Sequence, residues 1–214
     1  IYTGYDEREV DGWHVFTSSV LEHSKGIVSF IPLDAARVGI ARVGTNAFTY
    51  ARYLIPWIQH WTGSALFVDG ADMLCRDDIS KLWALKDPFY AVQVVPHNYA
   101  TKQDRKYVGT PMEAPNVDYP RKNWSSVMLI NADHRAWRNI TPQSVDVMVP
   151  GDLHRFAFIP DRYVGFLPVE WNWLVGEYPR NEDAKLVHFT LGIPSMPYYS
   201  KCDYADEWKA YNGV

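Results

Sequence analysis

The sequence lacks several features that would place it outside the cytoplasm. Its 214 residues include only two cysteines, Cys75 and Cys202, which are too few for a disulfide framework and favour a reducing compartment. No apolar run reaches the roughly 20 residues that cross a bilayer. The first ten residues also lack the basic and apolar parts of a signal peptide. We therefore predict a soluble, cytoplasmic protein with no membrane span.

The sequence also lacks an excess of basic residues. Its 21 lysines and arginines are outnumbered by 25 acidic residues, which leaves a formal net charge of −4. Nucleic-acid binding needs a basic face, so we predict no nucleic-acid partner. A phosphate ligand would have to be attracted by a local cation rather than by the overall charge.

Patterns of strands and helices alternate along the first half of the chain, and this predicts an α/β fold with a mainly parallel sheet. Strand patterns occupy residues 1–5, 27–33, 65–68, 90–96, 127–131 and 186–189, and helix patterns occupy 10–23, 45–57, 79–85, 141–149 and 152–158. Residues 98–122 read as a long polar loop, and the chain after 189 reads as a glycine- and proline-rich tail.

Polar residues follow three of the predicted strands. Tyr5 and Asp6 follow the first, Asp69 and Asp72 follow the wholly apolar run "ALFV", and His188 ends the last strand. Because ligands of such sheets bind beyond the carboxyl ends of the strands, these residues point to one crevice.

Asp69 and Asp72 flank Gly70, which allows a sharp turn because it tolerates positive φ. Two carboxylates at a strand end suit Mg²⁺ or Mn²⁺, although aspartates are also common in turns. His188 is either structural or a third ligand, and imidazole suits Mn²⁺. A glycine shortly after it, Gly192, would let the backbone approach a phosphate.

Five segments resemble the GT-A glycosyltransferases, most closely the family 8-like enzymes that use nucleotide-sugar donors. They are "IYTGYDEREVDGWHVFTSSVLEHS", "TNAFTYARYLIP", "GSALFVDGADMLCRDDISKLW", "NWSSVMLIN" and "LVHFTLGIP", in this order. The resemblance implies a GT-A type domain over residues 1–214, either complete or part of a longer chain, with helices on both faces of the sheet.

The resemblance implies a metal site for Mn²⁺ or Mg²⁺ made by Asp69, Asp72 and His188. The chain departs from the family by one extra residue between the aspartates, so Asp69 could instead contact the ribose or a metal-bound water. The lysine that usually follows the late histidine and contacts the diphosphate is missing, and Lys201 is a possible substitute from further along.

The resemblance also assigns residues to the nucleotide-sugar donor. Thr3 and Tyr5 would line the base and ribose pocket, and Arg52 would reach the diphosphate or the donor sugar. The alternative for Arg52 is an exposed helix residue with a surface ion pair. The donor sugar would meet Ser125 and Ser126, with Gly192 near the phosphates, and Asn123 is a candidate for the amide that the family motif has and this chain lacks.

The segment "PGDLHRFAF" lies where the family places acidic residues that face the reacting carbon. Asp152 and His154 are therefore the catalytic candidates, while Asp152 could equally cap the helix that follows it.

The resemblance implies a metal-dependent transferase that moves a sugar from a UDP-sugar to a glycan acceptor with retention. A non-catalytic glycan-binding module on the same fold is the alternative. A phosphotransferase is a third hypothesis, but no threonine or lysine motif follows Asp72. A short catalytic unit without an anchor would fit a bacterial or viral protein.

Overall fold

The computed structural model of the protein describes residues 1–42 and 44–213, which form an α/β fold. Its strands are β1 (Tyr2–Gly4), β2 (Ile31–Leu33), β3 (Ser64–Val68), β4 (Met73–Cys75), β5 (Val92–Val94), β6 (Arg105–Lys106), β7 (Ala114–Pro115), β8 (Val127–Asn131), β9 (Val164–Phe166), β10 (Trp173–Leu174) and β11 (Leu186–His188). Its α-helices are α1 (Val10–His23), α2 (Ile55–Ile58), α3 (Ile79–Trp83), α4 (Pro142–Val147), α5 (Pro150–His154) and α6 (Ala205–Asn212). Within the described residues, no helix is both long and apolar enough to cross a membrane.

The central sheet has six strands in the order β2-β1-β3-β8-β5-β9. β1 is parallel to β2 and β3, and β5 is parallel to β9. β8 lies between β3 and β5 and is antiparallel to both. All strands but β8 therefore run in one direction, which confirms the predicted mainly parallel sheet.

Helices cover both faces of this sheet, as predicted. Successive side chains of a strand point to opposite faces. In β3, Phe67 packs into one hydrophobic core with side chains from α2, α4 and α5. The neighbouring Leu66 packs into a second core, together with side chains from α1 and α3. Burial on both faces explains why β3 and β8 are almost wholly apolar.

A second, three-stranded sheet has the order β10-β11-β4, and it carries His188. Its side chains join a third core, to which α1 contributes Val15 and α6 contributes Trp208. Trp208 has no exposed surface. The predicted glycine- and proline-rich tail is therefore wrong in part, because a helix at its end is anchored by this buried indole.

The predicted helix over residues 45–57 is wrong over its first part. A 3-10 helix occupies only Ala51–Leu54 and continues into α2. Before it, Thr49 donates its hydroxyl to Asn46 O at 2.9 Å, and Asn46 N donates back to that hydroxyl at 3.2 Å. Such local side-chain bonds stabilise a turn in place of a helix.

Other predicted elements are shorter, shifted or interrupted. The helix expected over 152–158 lies at Pro150–His154. The strand expected over 27–33 is limited to β2, because its pairing with β1 begins where Tyr2 meets Ile31. Ile27, outside this pairing, is fully exposed. The long loop at 98–122 contains the small antiparallel hairpin of β6 and β7.

Candidate active site

A tight turn at the end of β3 directs Asp69 and Asp72. Ala71 N donates to Asp69 O at 2.7 Å, and Met73 N donates to Gly70 O at 3.2 Å. Gly70 has a φ of +72°, and a Cβ at this position would overlap Thr3 Oγ1. Both the left-handed backbone and the close approach of β1 therefore require glycine here.

The pairing of β4 with β11 brings His188 to this turn. Met73 lies opposite His188 in the antiparallel register, and Phe189 N donates to Asp72 O at 2.8 Å. Asp72 precedes Met73 directly, so its carboxylate lies beside the imidazole. His188 Nε2 is 3.2 Å from Asp72 Oδ2.

Asp69, Asp72 and His188 each offer one ligand atom, and these three atoms lie within 4.8 Å of one another. All three side chains are buried. Asp72 Oδ1 has no hydrogen-bond partner among the described residues, and such an oxygen is costly to bury. Two carboxylates and an imidazole are ligands that Mn²⁺ and Mg²⁺ accept. The residues present therefore fit a divalent cation.

Asn172 orients the imidazole ring of His188. It donates its amide to Asn123 O at 3.2 Å, which turns Asn172 Oδ1 towards His188 Nδ1 at 2.9 Å. Nδ1 must then carry the hydrogen, so a neutral His188 would present the Nε2 lone pair to the Asp72 carboxylate. Two acceptors at this distance repel unless a proton or a cation lies at Nε2. A cation at Nε2 would remove this repulsion.

Arg52 lies on the other side of Asp69. Its Nη1 is 2.5 Å from Asp69 Oδ1 in an ion pair without hydrogen-bond alignment. The guanidinium also donates to Ser125 O at 2.9 Å, and it lies over the ring of Phe67 at 5.0 Å. Arg52 is only 6% exposed, so the alternative of an exposed helix residue is wrong.

Burial raises the pKa of Asp69 to about 6, with Arg52 opposing the rise and the carboxylate of Asp72 adding to it. The contribution of Asp72 means that two carboxylates lie close together at this turn. A cation between them would oppose the rise in the pKa of Asp69.

A cavity of about 360 Å³ opens above this group. The predicted site residues that line it are Arg52, Asp69, Asp72, Ser125, Ser126, His154 and His188. Asn123 lines it as well, and its amide donates to Tyr99 Oη at 2.9 Å. The chain thus brings together residues from five distant segments.

Three residues predicted to bind the donor lie away from this cavity wall. Thr3 has no exposed surface and supports the turn from beneath at Gly70. Tyr5 is half-buried against the edge of Trp13, with their ring centroids 5.9 Å apart. Gly192 has a φ of +152° and packs so closely on the ring of Tyr199 that a Cβ would overlap it.

The two catalytic candidates lie on α5 and differ in their surroundings. Asp152 is outside the cavity lining, and its carboxylate pairs with Arg155. It does not cap the helix, because Val149 occupies the N-cap position. His154 does line the cavity, with Nδ1 3.0 Å from Tyr53 Oη. Burial, and then the charge of Arg52, lowers the pKa of His154 to about 4.

The sequence analysis missed several residues of this site. Asn172 was not identified because nothing in its own segment signals that it meets a histidine 16 residues later. Lys106 and Lys122 also line the cavity. They lie in or at the end of the long polar loop, and its length was the only available signal of function. Lys201 is exposed and lies in a different surface depression.

Comparison with known proteins shows the fold and the family. No protein-family model matches the chain. The bifunctional glycosyltransferase WbbM in its apo form has a TM-score of 0.61 and 16% identity, covering 99% of this chain and 49% of that one. This chain thus spans about half of WbbM. The galactosyltransferase LgtC, in complex with donor and acceptor sugar analogues, has a TM-score of 0.56 and 17% identity, covering 99% of this chain and 94% of that one. At these identities the similarity shows the fold, which is the GT-A type.

One curated relative is similar in sequence as well. Protein CDI of Arabidopsis thaliana is 33% identical over 221 residues, covering 97% of this chain and 83% of the relative. This relative comes from a plant, so it gives no support to the predicted bacterial or viral origin. An identity of this size over nearly the whole length means that the chain belongs to the same protein family as Protein CDI.

Proposed function

We propose that the protein is a metal-dependent, family 8-like glycosyltransferase. It transfers a sugar from a UDP-sugar to a glycan acceptor, with retention of the anomeric configuration. The observation that carries this proposal is the convergence of Asp69, Asp72 and His188, each buried, on one wall of a cavity within a GT-A type fold.

The metal ligands would be Asp69, Asp72 and His188. The ion, Mn²⁺ or Mg²⁺, would supply positive charge to the diphosphate as the sugar–phosphate bond breaks. Asn172 would keep the hydrogen of His188 on Nδ1, so that Nε2 stays available to the ion. Asp72 Oδ1, which has no partner among the described residues, would complete the acidic side of the site.

Arg52 would act at the phosphates or at the donor sugar. Its side chain is held by the carbonyls of Thr49 and Ser125, so it is already oriented before a ligand arrives. If Asp69 served as a metal ligand, Arg52 would no longer be its main charge partner, and the guanidinium would be available to the phosphate oxygens. Ser125 and Ser126, which line the same cavity, would meet the hydroxyls of the donor sugar.

His154 would contact the reacting sugar or the acceptor from the opposite wall. Since its pKa is lowered to about 4, the ring is neutral near pH 7 and can accept or donate a hydrogen bond without charge. Asp152 lies outside the cavity lining with its carboxylate paired to Arg155, so it would contact only a part of the acceptor that extends beyond the cavity. Tyr5 remains our candidate for the base pocket. Thr3 lacks exposed surface and would support the turn instead.

The ion pair of Arg52 with Asp69 favours a second candidate function. An aspartate that is neutralised by an arginine does not need a metal ion, which would suit a non-catalytic glycan-binding module. Such a module would bind glycans without nucleotide and without metal.

Calorimetry with UDP in the presence and absence of Mn²⁺ distinguishes the glycosyltransferase from the glycan-binding module. We expect wild-type binding to require Mn²⁺, to be lost in Asp72→Asn and to weaken in His188→Ala. The matched controls Asp203→Asn and His14→Ala change exposed residues outside the cavity. UDP binding that is the same with and without Mn²⁺, or the same in Asp72→Asn, would rule out the metal site. For retention, NMR of the product anomer is the test, and an inverted product would contradict the proposal.

A further inference from the structure

The loop after His188 has no cation of its own. Residues 189–199, from Phe189 to Tyr199, contain neither lysine nor arginine. Lys201, the substitute considered from the sequence, lies beside Arg180 and Asp206 in a separate depression. A diphosphate bound near this loop would therefore need a cation from another segment.

The β6–β7 hairpin lies directly against this loop. Tyr107 N donates to Leu191 O at 2.7 Å, and Val108 N donates to Tyr199 Oη at 3.1 Å. The ring of Tyr107 is buried and packs in the same core as Leu191 and Tyr199. The backbone next to Lys106 is thus fixed to the loop after His188. In the family 8-like enzymes, this loop carries the lysine that contacts the diphosphate.

Side chains of β6 point alternately outwards and inwards. Arg105 pairs with Glu113 across the hairpin, at 2.5 Å and on the outer side. Lys106 faces the other way, into the cavity lined by Asp69, Asp72 and His188. The position therefore follows from the register of the hairpin and not from a chance rotamer of a long side chain.

Lys106 differs from the other cations at this cavity in having no polar partner. Arg52 is held by Asp69 and by backbone carbonyls, and Lys122 Nζ donates to Asn116 Oδ1 at 2.6 Å and to Val117 O at 3.0 Å. Over residues 1–42 and 44–213, the ammonium of Lys106 makes no ion pair or hydrogen bond. It lies only over the ring of Tyr107, 5.1 Å from its centroid. Burial lowers the pKa of Lys106, and the nearby carboxylates, Asp72 first among them, oppose this shift.

We propose that Lys106 binds the diphosphate of the nucleotide-sugar donor and takes the place of the lysine that the late loop lacks. This inference rests on the proposed function, because it needs a diphosphate in the cavity. The ammonium would contact the phosphate oxygens and stabilise the charge that develops when the sugar leaves.

The experiment is calorimetry of UDP and uridine with Mn²⁺ present, for wild type, Lys106→Met, Lys106→Arg and the matched control Lys201→Met. Methionine keeps the apolar stem over Tyr107 and removes the charge. We expect Lys106→Met to bind UDP about 10- to 100-fold more weakly, because hydrogen bonds to charged groups contribute this much. Uridine, which has no phosphate, should bind equally to the wild type and to Lys106→Met. Lys106→Arg should recover most of the UDP affinity. Lys201→Met should bind UDP as tightly as the wild type. Urea unfolding of each variant verifies that it is folded.

UDP affinity in Lys106→Met within about twofold of a wild type that does bind UDP would overturn the role of Lys106, while the proposed function would stand. An equal loss for uridine and UDP would also overturn it, because the effect would then be structural. Weakened UDP binding in Lys201→Met would identify the other lysine instead. If the wild-type protein binds no UDP at any Mn²⁺ concentration, the proposed function itself fails.

Discussion

Asp72 and His188 are separated by 116 positions in the chain, and their side chains meet at 3.2 Å. The contact depends on β4, which begins immediately after Asp72 and pairs with β11. Ala71, one of the two residues between Asp69 and Asp72, is fully buried, and its carbonyl lies so close to Gly12 of α1 that a Cβ at Gly12 would overlap it. The turn between the two aspartates is therefore packed closely against α1.

Gly70→Ala should destabilise the protein more than Gly63→Ala. Both glycines have φ above +70°, so alanine brings a backbone cost of about 1–2 kcal/mol at either site. Only at Gly70 would the new Cβ also overlap Thr3 Oγ1, whereas nothing lies within 4 Å at Gly63. Urea denaturation measures the difference. Equal losses of unfolding free energy in the two variants would show that the turn at Gly70 relaxes. The double variant Gly70→Ala with Thr3→Ala should recover part of the loss, because it removes the overlapping hydroxyl.

Asn172→Ala should weaken Mn²⁺ binding about 10- to 100-fold, because it removes the group that orients the His188 ring. Asn172→Asp keeps an acceptor for His188 Nδ1 and should therefore lose less Mn²⁺ affinity than Asn172→Ala. Asn98→Ala, at an exposed position, serves as the control. Mn²⁺ titration by calorimetry or electron paramagnetic resonance reports the affinity. An Asn172→Ala protein with wild-type affinity would mean that the ring is held without its amide.

The wild-type protein should lose stability more steeply than His154→Gln as the pH falls from 6.5 to 4. Burial lowers the folded-state pKa of His154 to about 4, below the ordinary value of 6.5. In this window the unfolded chain binds the proton and the folded protein does not, so unfolding becomes more favourable as the pH falls. The full contribution of His154 to the free energy of unfolding is about 3 kcal/mol. It is present above pH 6.5 and is lost as the pH falls to 4. Urea unfolding at several pH values tests it, with His14→Gln as the exposed control. Parallel curves for wild type and His154→Gln would contradict the prediction.

Trp208→Ala should lower the unfolding free energy by about 3–5 kcal/mol, because it removes a fully buried indole that joins α6 to the third core. Trp208→Phe should cost much less, since the indole Nε1 has no partner among the described residues and its loss removes an unsatisfied donor. Tyr198→Ala, 67% exposed, should change little. Denaturant unfolding measures all three. A Trp208→Ala protein as stable as wild type would show that α6 does not contribute to the core.

Local patterns predicted the elements with strong periodicity. The limits of α1 and β8 agree with the predicted 10–23 and 127–131, because each has an unbroken apolar face or an unbroken apolar run. The apolar part of β3, residues 65–68, was predicted for the same reason. Weak or very short elements were missed, among them β4, β9 and β10, since two or three residues carry too little pattern to be identified.

The proposed metal ligands could be named in advance from the two carboxylates after an apolar run, the late histidine and the resemblance to the GT-A enzymes. The way in which they meet was not predicted, because it depends on a second sheet in which β11 pairs with β4 directly after Asp72. The contacts that refine the site could not be named in advance either. Asn172 reaches His188 through the pairing of β10 with β11, and Lys106 reaches the cavity because its hairpin packs on the loop after β11. Each depends on which distant segments become neighbours.

By itself, the sequence determined the α/β class, the buried central strands, the acidic turn at Gly70 and the late histidine, because hydrophobic periodicity and glycine tolerance are properties of short segments. Only the tertiary structure decided that Arg52 is buried against Asp69, that Asn172 holds the imidazole, and that Lys106 rather than Lys201 faces the cavity. These outcomes depend on strand register and on packing between segments far apart in the chain, which no local pattern encodes.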